Sequence, residues 1–277
     1  SLLHLIEFDA ASDFRPVALE RSFGSGSGGM PPLAYPLGNG FVLEITGQID
    51  RIDRDGENRY FLIIDYKTGE AHLDLLEVYY GLKLQLLTYL LVARDLLLRA
   101  ADGEALPAAM LYCFLNNPLV NVKPHSGEEK EALNKARLMP GWLLEDEDVV
   151  RAINGTGRFT KVSLTKAGRL SRQQKGSLRT AEEFDVLLDY IAFMLKDTGK
   201  SILAGTVKAS PYRIGGREAC QYCLYRAFCG FDVRAGFSYS VLKKLETAEI
   251  LDHMEIRGKE AVSWQKDEFG QNGKKKP

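Results

Sequence analysis

Gly47-Gln48-Ile49-Asp50-Arg51-Ile52-Asp53, followed by Ile63-Ile64-Asp65-Tyr66-Lys67-Thr68-Gly69, is the part of the chain that decides its fold. Both stretches are apolar runs of strand character that lead into a carboxylate, and alternation along the second puts Asp65 and Lys67 on one sheet face. Between them, Arg54-Asp55-Gly56-Glu57-Asn58 holds an Asp-Gly pair, a strong hairpin signal. Strands over residues 41–53 and 60–66 therefore read as antiparallel neighbours, with Asp50 and Asp65 side by side near the open edge of the sheet.

Working outward, residues 14–24 read as a first strand and the glycine-rich stretch from Gly24 to Gly29, with Pro31-Pro32, as a loop. No Gly-Lys-Ser/Thr follows those glycines, which removes a phosphate-cradling loop. Helical periodicity covers residues 75–100, and within it Gln85 and Tyr89 stand at i and i+4 on one side. A fourth strand spans residues 108–116, and residues 121–179 are polar and weakly patterned, with a short helix at 146–153. Thr180 followed by Glu183 is a capping-box pattern that opens a helix over residues 180–198. Strand, hairpin, helix, strand and helix make an α/β core, a mixed central sheet flanked by helices. Residues 1–13 read as the end of an upstream helix in a chain that begins in mid-protein, residues 14–235 as the domain, and residues 236–277 as a helical and polar tail, helical over 241–254 and Lys-rich at its end.

Hydrolysing a phosphodiester calls for divalent ions on oxygen ligands, and Asp50 and Asp65 supply two carboxylates for Mg²⁺ or Mn²⁺. The main-chain carbonyl of Tyr66 would face the same ion, and Lys67 would neutralise developing charge or orient the attacking water. Gln85 and Tyr89 would support Lys67 from behind or touch a phosphate. An isolated Asp-x-Lys is common by chance, so the weight rests on the ensemble: Gly-x-x-Asp before a hairpin, Asp-Tyr-Lys-Thr-Gly after it, then Gln-x-x-x-Tyr.

With 277 residues, 45% hydrophobic, the chain is long enough for one large domain with appendages, and no apolar run reaches the length of a bilayer span. A net charge of −1 excludes a protein that coats nucleic acid over its whole surface. A local basic surface is left open: Arg158, Lys161, Lys166, Arg169, Arg172, Lys175 and Arg179 fall in a segment without an acidic residue, suited to a phosphate backbone or equally to a solvated loop. Lys161, Lys166, Arg169, Arg172 and Lys175 are the candidate DNA contacts. Cys220, Cys223 and Cys229 form C-x2-C-x5-C, which reads as a metal or cluster site rather than a disulfide. Zinc and a 4Fe-4S cluster both want a fourth ligand, and no His lies nearby; Cys113, inside a strand, reads as a buried structural thiol.

These motifs resemble those of the RecB-family nucleases, a branch of the PD-(D/E)xK superfamily with a restriction-endonuclease-like core. The resemblance implies a metal-dependent deoxyribonuclease carried by Asp50, Asp65 and Lys67. The cysteine spacing is similar to the iron-sulfur subset, whose fourth cysteine lies upstream, so a 4Fe-4S cluster on Cys220, Cys223 and Cys229 is expected. Phe14-Arg15-Pro16 through Gly24, Thr180 to Phe184, Ser210-Pro211-Tyr212 and residues 220–232 look most like the B-subunit family of AddAB-type helicase-nucleases. That implies action as an exonuclease on DNA ends with an AddA-type subunit, in double-strand-break repair, in the bacterial cytoplasm. A free-standing RecB-like exonuclease of the CRISPR adaptation type, and a DNA-binding scaffold that does not cut, are the alternatives. The family's ligand His sits in a Gly-x-x-x-His context that His4 does not match, so His4 reads as a partly exposed helical residue.

Overall fold

The computed structural model describes residues 2–24, 30–98, 105–121 and 128–272. The glycines of residues 25–29 and the lysines at 274–276 lie outside the described residues. In chain order the elements are α1 (Leu2–Ala11), β1 (Arg15–Phe23), β2 (Leu33–Gly38), β3 (Phe41–Ile45), β4 (Gly47–Arg54), β5 (Tyr60–Lys67), α2 (Leu75–Tyr79) and α3 (Gln85–Val92). Then come β6 (Leu106–Phe114), α4 (Glu129–Ala136), β7 (Gly141–Leu144), α5 (Glu147–Asn154), β8 (Leu178–Arg179) and α6 (Ala181–Leu203). The last are β9 (Tyr212–Ile214), β10 (Arg217–Glu218), α7 (Arg226–Cys229), β11 (Ser240–Val241) and α8 (Thr247–Asn272).

Six strands in the order β1-β4-β5-β6-β7-β8 make the central sheet. It is mixed: β5–β6 and β7–β8 are parallel, the other neighbours antiparallel. Helices cover the inner strands, which explains why Phe61 to Ile64 and Ala108 to Leu111 are apolar without a break and wholly buried. The parallel β5–β6 pair requires a crossover, and α2 and α3 provide it.

The structure departs from the sequence expectations at several points. The strand expected over 41–53 is two strands, because the chain turns at Thr46; β3 pairs with β2 in a separate hairpin closed by Asn39-Gly40, both at positive φ. Asn-Gly is the strongest two-residue hairpin signal and was there to be read. The helix expected over 75–100 is broken at Gly81, whose φ of +75° is open to glycine, and continues after α3 as a π-helical turn, Ala93–Leu98. Because of that break, α3 begins at Gln85. The pair β4–β5 is not at an edge of the sheet, since β1 lies along β4; its carboxylates are reached at the strand ends instead.

The weakly patterned segment supplies α4, α5, β7 and β8. Gly141 starts β7 because a Cβ there would lie 1.9 Å from the Met110 carbonyl oxygen. Val241 sits in β11 rather than a helix, and α8 packs along α6 with Ile250 and Met254 buried. Gly258 permits that approach, its notional Cβ 3.0 Å from Asp189 Cβ.

Helix α6 begins with the expected capping box: Glu183 N–H donates to Thr180 Oγ1 at 3.2 Å, and Thr180 N–H donates to a Glu183 carboxylate oxygen at 3.2 Å. Thr180→Ala is expected to lower the unfolding free energy by about 1 kcal/mol. Urea titration measures this as a shifted midpoint at unchanged slope.

Candidate active site

The register Arg51↔Ile64, carried one step further, sets Asp50 opposite Asp65 at the end of the β4–β5 ladder. Asp50 Oδ2 accepts the Tyr66 N–H at 2.7 Å, so the first carboxylate is oriented by the strand that carries the second. Asp65 is 1% exposed, and Lys67 Nζ lies 2.7 Å from its Oδ2. Lys67 Nζ also donates to Gln85 Oε1 at 2.9 Å, and Gln85 Nε2 donates to the Tyr89 hydroxyl at 3.0 Å. Tyr89 meets the Phe23 ring edge-on, at 6.3 Å between centroids. Gly47 leaves room for this contact, since a Cβ there would come within 2.9 Å of Phe23. A relay of side chains from β5, α3 and β1 thus fixes the Lys67 ammonium beside Asp65.

Burial lifts the Asp65 carboxyl above the usual carboxylate range; the contact with Lys67 pulls it back, and the charge of Asp50 adds to the rise. Asp65 Oδ2 makes no hydrogen bond of good geometry despite its closeness to Lys67. Two carboxylates, one of them buried, thus meet beside a lysine held in place.

A match to the family model described as PD-(D/E)XK nuclease superfamily runs over residues 2–230. The chain belongs to the PD-(D/E)XK nuclease superfamily. Within that superfamily it is similar to the B subunit of the ATP-dependent helicase/deoxyribonuclease of Bacillus cereus (strain G9842) and to that of Bacillus anthracis, each 38% identical over 262 residues. Those matches cover 90% of this chain and 22% of the relative. The corresponding protein of Bacillus cereus (strain B4264) is 37% identical over 279 residues, 96% of this chain and 23% of the relative. The chain therefore corresponds to less than a quarter of those proteins, and is a nuclease domain related to them.

Behind the PD-(D/E)XK centre lies a feature that the motifs do not announce. Arg51 and Asp53 point to the sheet face opposite Asp50, where Arg51 is 2% and Asp53 0% exposed. Arg51 Nε donates to Asp53 Oδ1 at 2.7 Å and Nη2 to Asp53 Oδ2 at 2.6 Å, while Nη2 reaches Asp9 of α1 at 2.5 Å. Burial raises the Asp53 carboxyl even against the pull of Arg51. Period-two alternation through Asp50-Arg51-Ile52-Asp53 was the available signal.

The other candidates are scattered around this centre. Cys220 is half-buried, Cys223 and Cys229 exposed, all three unpaired, and Cys113 is buried in β6. Among the described residues no three His, Cys, Asp or Glu side chains converge as a metal site. Arg217, near the cysteines, pairs with Glu77 of α2 at 2.5 Å, and His72 lies 3.2 Å from the same carboxylate. His4 is buried against the Phe159 ring, 5.0 Å between centroids, rather than partly exposed, because α1 packs its ring inward; burial lowers its pKa. Of the basic segment, Lys161, Lys166 and Arg169 are exposed, while the Arg172 and Lys175 side chains lie outside the described residues. Arg158 pairs with Glu7 at 2.7 Å. Arg179 is buried over the Trp142 ring, 4.4 Å from its centroid, and so leaves the set of solvent-facing cations. Among the described residues no helix is long and apolar enough to cross a membrane.

Proposed function

We propose that this chain is the metal-dependent DNA exonuclease domain of a helicase-nuclease B subunit, working with an AddA-type subunit on DNA ends in double-strand-break repair in a bacterial cytoplasm. The observation that carries the reading is Lys67 Nζ held between Asp65 Oδ2 at 2.7 Å and Gln85 Oε1 at 2.9 Å, next to Asp50. The donor set fits Mg²⁺ or Mn²⁺: two carboxylates and the Tyr66 carbonyl would hold an ion that otherwise keeps water and takes substrate oxygens. The buried, under-hydrogen-bonded Asp65 Oδ2 is the atom a cation would satisfy. When bound, the ion supplies Lewis acidity and lowers the pKa of its water. Lys67 then stands where it offsets charge developing on the phosphate, and the Gln85–Tyr89 pair restrains its ammonium from swinging into solvent.

A 4Fe-4S cluster on Cys220, Cys223 and Cys229, with a fourth cysteine from outside this chain, belongs to the same reading. None of residues 219–241 is buried, and Tyr222, Leu224 and Phe228 are almost fully exposed. A segment without a core of its own gains its cohesion from a bound centre, as small metal-stapled domains do. Exposed Lys161, Lys166 and Arg169 support a role in holding the DNA backbone, and Arg172 and Lys175 extend that proposal.

The test is degradation of end-labelled single-stranded and linear duplex DNA by the full-length subunit with its partner, with and without Mg²⁺. Mg²⁺-dependent, end-dependent shortening is expected. Binding of ends without shortening would replace this reading with the scaffold.

A further inference from the structure

We propose that the cleft between the loop after Lys67 and β7 is the seat of a nucleotide close to the cleaved bond, its phosphate held by Lys161 and His72. The proposal rests on the nuclease reading above and adds where the DNA strand continues once it leaves Asp65.

The sheet itself gives the position. Asp65 neighbours Tyr112 on β6, and Tyr112 N–H donates to the Pro140 carbonyl at 2.9 Å. Two strand spacings of about 4.8 Å each place Pro140 about 10 Å from Asp65. The face is the catalytic one. Ile63, two residues before Asp65, registers with Met110, and Met110 with Trp142, so Trp142 stands on the side of Asp65 and Lys67. Lys67 Nζ over the Tyr112 ring, 5.6 Å from its centroid, agrees.

Here Pro140 and Trp142 line a small cleft of about 90 Å³, open at its mouth and shared with His72, Lys161, Gly176 and Ser177. His72 comes from the loop that follows the catalytic lysine. Its acidic neighbour Glu77 is paired through Oε1 with Arg217, which offsets the charge of a carboxylate whose other oxygen lies 3.2 Å from His72. Arg179, buried over Trp142 with its Nε unpartnered, backs the wall with a second cation. Lys161 is exposed at the rim. A cationic rim, a backbone-lined wall and a distance of about 10 Å suit the sugar-phosphate of a nucleotide within about three of the cleaved bond, at a rise of about 3.4 Å per nucleotide.

Gly176 provides the sharpest probe. A Cβ there meets nothing within 4 Å and its backbone lies outside the left-handed region, so Gly176→Trp adds bulk at the lining of the cleft without straining the fold. The experiment measures KM and kcat with Mg²⁺ for wild type, Lys161→Ala and Gly176→Trp, on oligodeoxynucleotides shortened stepwise from either side of the cleaved bond. Both variants are expected to raise KM about tenfold on long substrates, the size of one lost charge-assisted phosphate contact, with the loss falling on KM rather than kcat. The penalty should vanish once the substrate is shortened past the third nucleotide on one side. An unchanged KM, or an equal penalty on the longest and shortest substrates, overturns the proposal. If the wild type does not cut, the nuclease reading fails separately; Kd values from fluorescence anisotropy then decide, and equal Kd for all three proteins overturns the cleft.

Discussion

Asp65→Asn is expected to lower single-turnover cleavage at least about a thousandfold, about 4 kcal/mol at 1.36 kcal/mol per tenfold, while making the metal-free protein more stable. The first effect follows from the proposed role of Asp65 as a charged ligand in a centre of two carboxylates. The second follows from the raised carboxyl pKa. A folded-state pKa above the unfolded value means that the native protein binds more protons between the two, so stability falls as pH rises through that window. Above the folded value the penalty is fully present; below about 3.9, the unfolded value, it is gone. Asparagine removes the charge and with it the penalty. Mg²⁺ is expected to act in the same direction on the wild type, since a ligand bound only by the native state at a hundred times its Kd adds about 2.7 kcal/mol. Differential scanning fluorimetry at pH 5 and pH 8, with and without Mg²⁺, reads all of this. The variant should melt above the metal-free wild type, by more at pH 8, and lose the Mg²⁺ shift. Retained cleavage, or a Mg²⁺ shift as large as the wild type's, would sink the assignment of Asp65.

The second large effect is structural. Arg51→Met should cost about 3–5 kcal/mol, because it leaves the Asp53 carboxylate, 0% exposed, without its bidentate partner and Asp9 with less. That is a large part of the roughly 5–15 kcal/mol that holds a domain together. The double variant Arg51→Met with Asp53→Leu should recover most of the loss, since replacing both partners by apolar groups leaves no buried charge. Urea unfolding of the two variants distinguishes this from simple loss of packing. A loss below about 1 kcal/mol for Arg51→Met would show that water reaches Asp53 and that the pair is not the buried tie described here.

The geometry of the candidate site was legible in the sequence because it is local. Asp65 and Lys67 share a face by strand alternation, Asp50 meets Asp65 through an Asp-Gly hairpin, and Gln85 and Tyr89 align by helical spacing. Each rule acts over a few residues, so the sequence alone determined the α/β class, the three charged residues and the capping box of α6. What it could not determine are the relations between segments far apart in the chain. Trp142 stands on the catalytic face only because β7 registers with β6, and β6 with β5. Arg179 leaves the basic run because β8 carries it under Trp142. Asp9 and Arg51 meet across 42 residues. Burial and long-range pairing depend on the free energy of the whole packed chain, which no single window of sequence contains, and the tertiary structure alone decided which charges face solvent and which hold the core together.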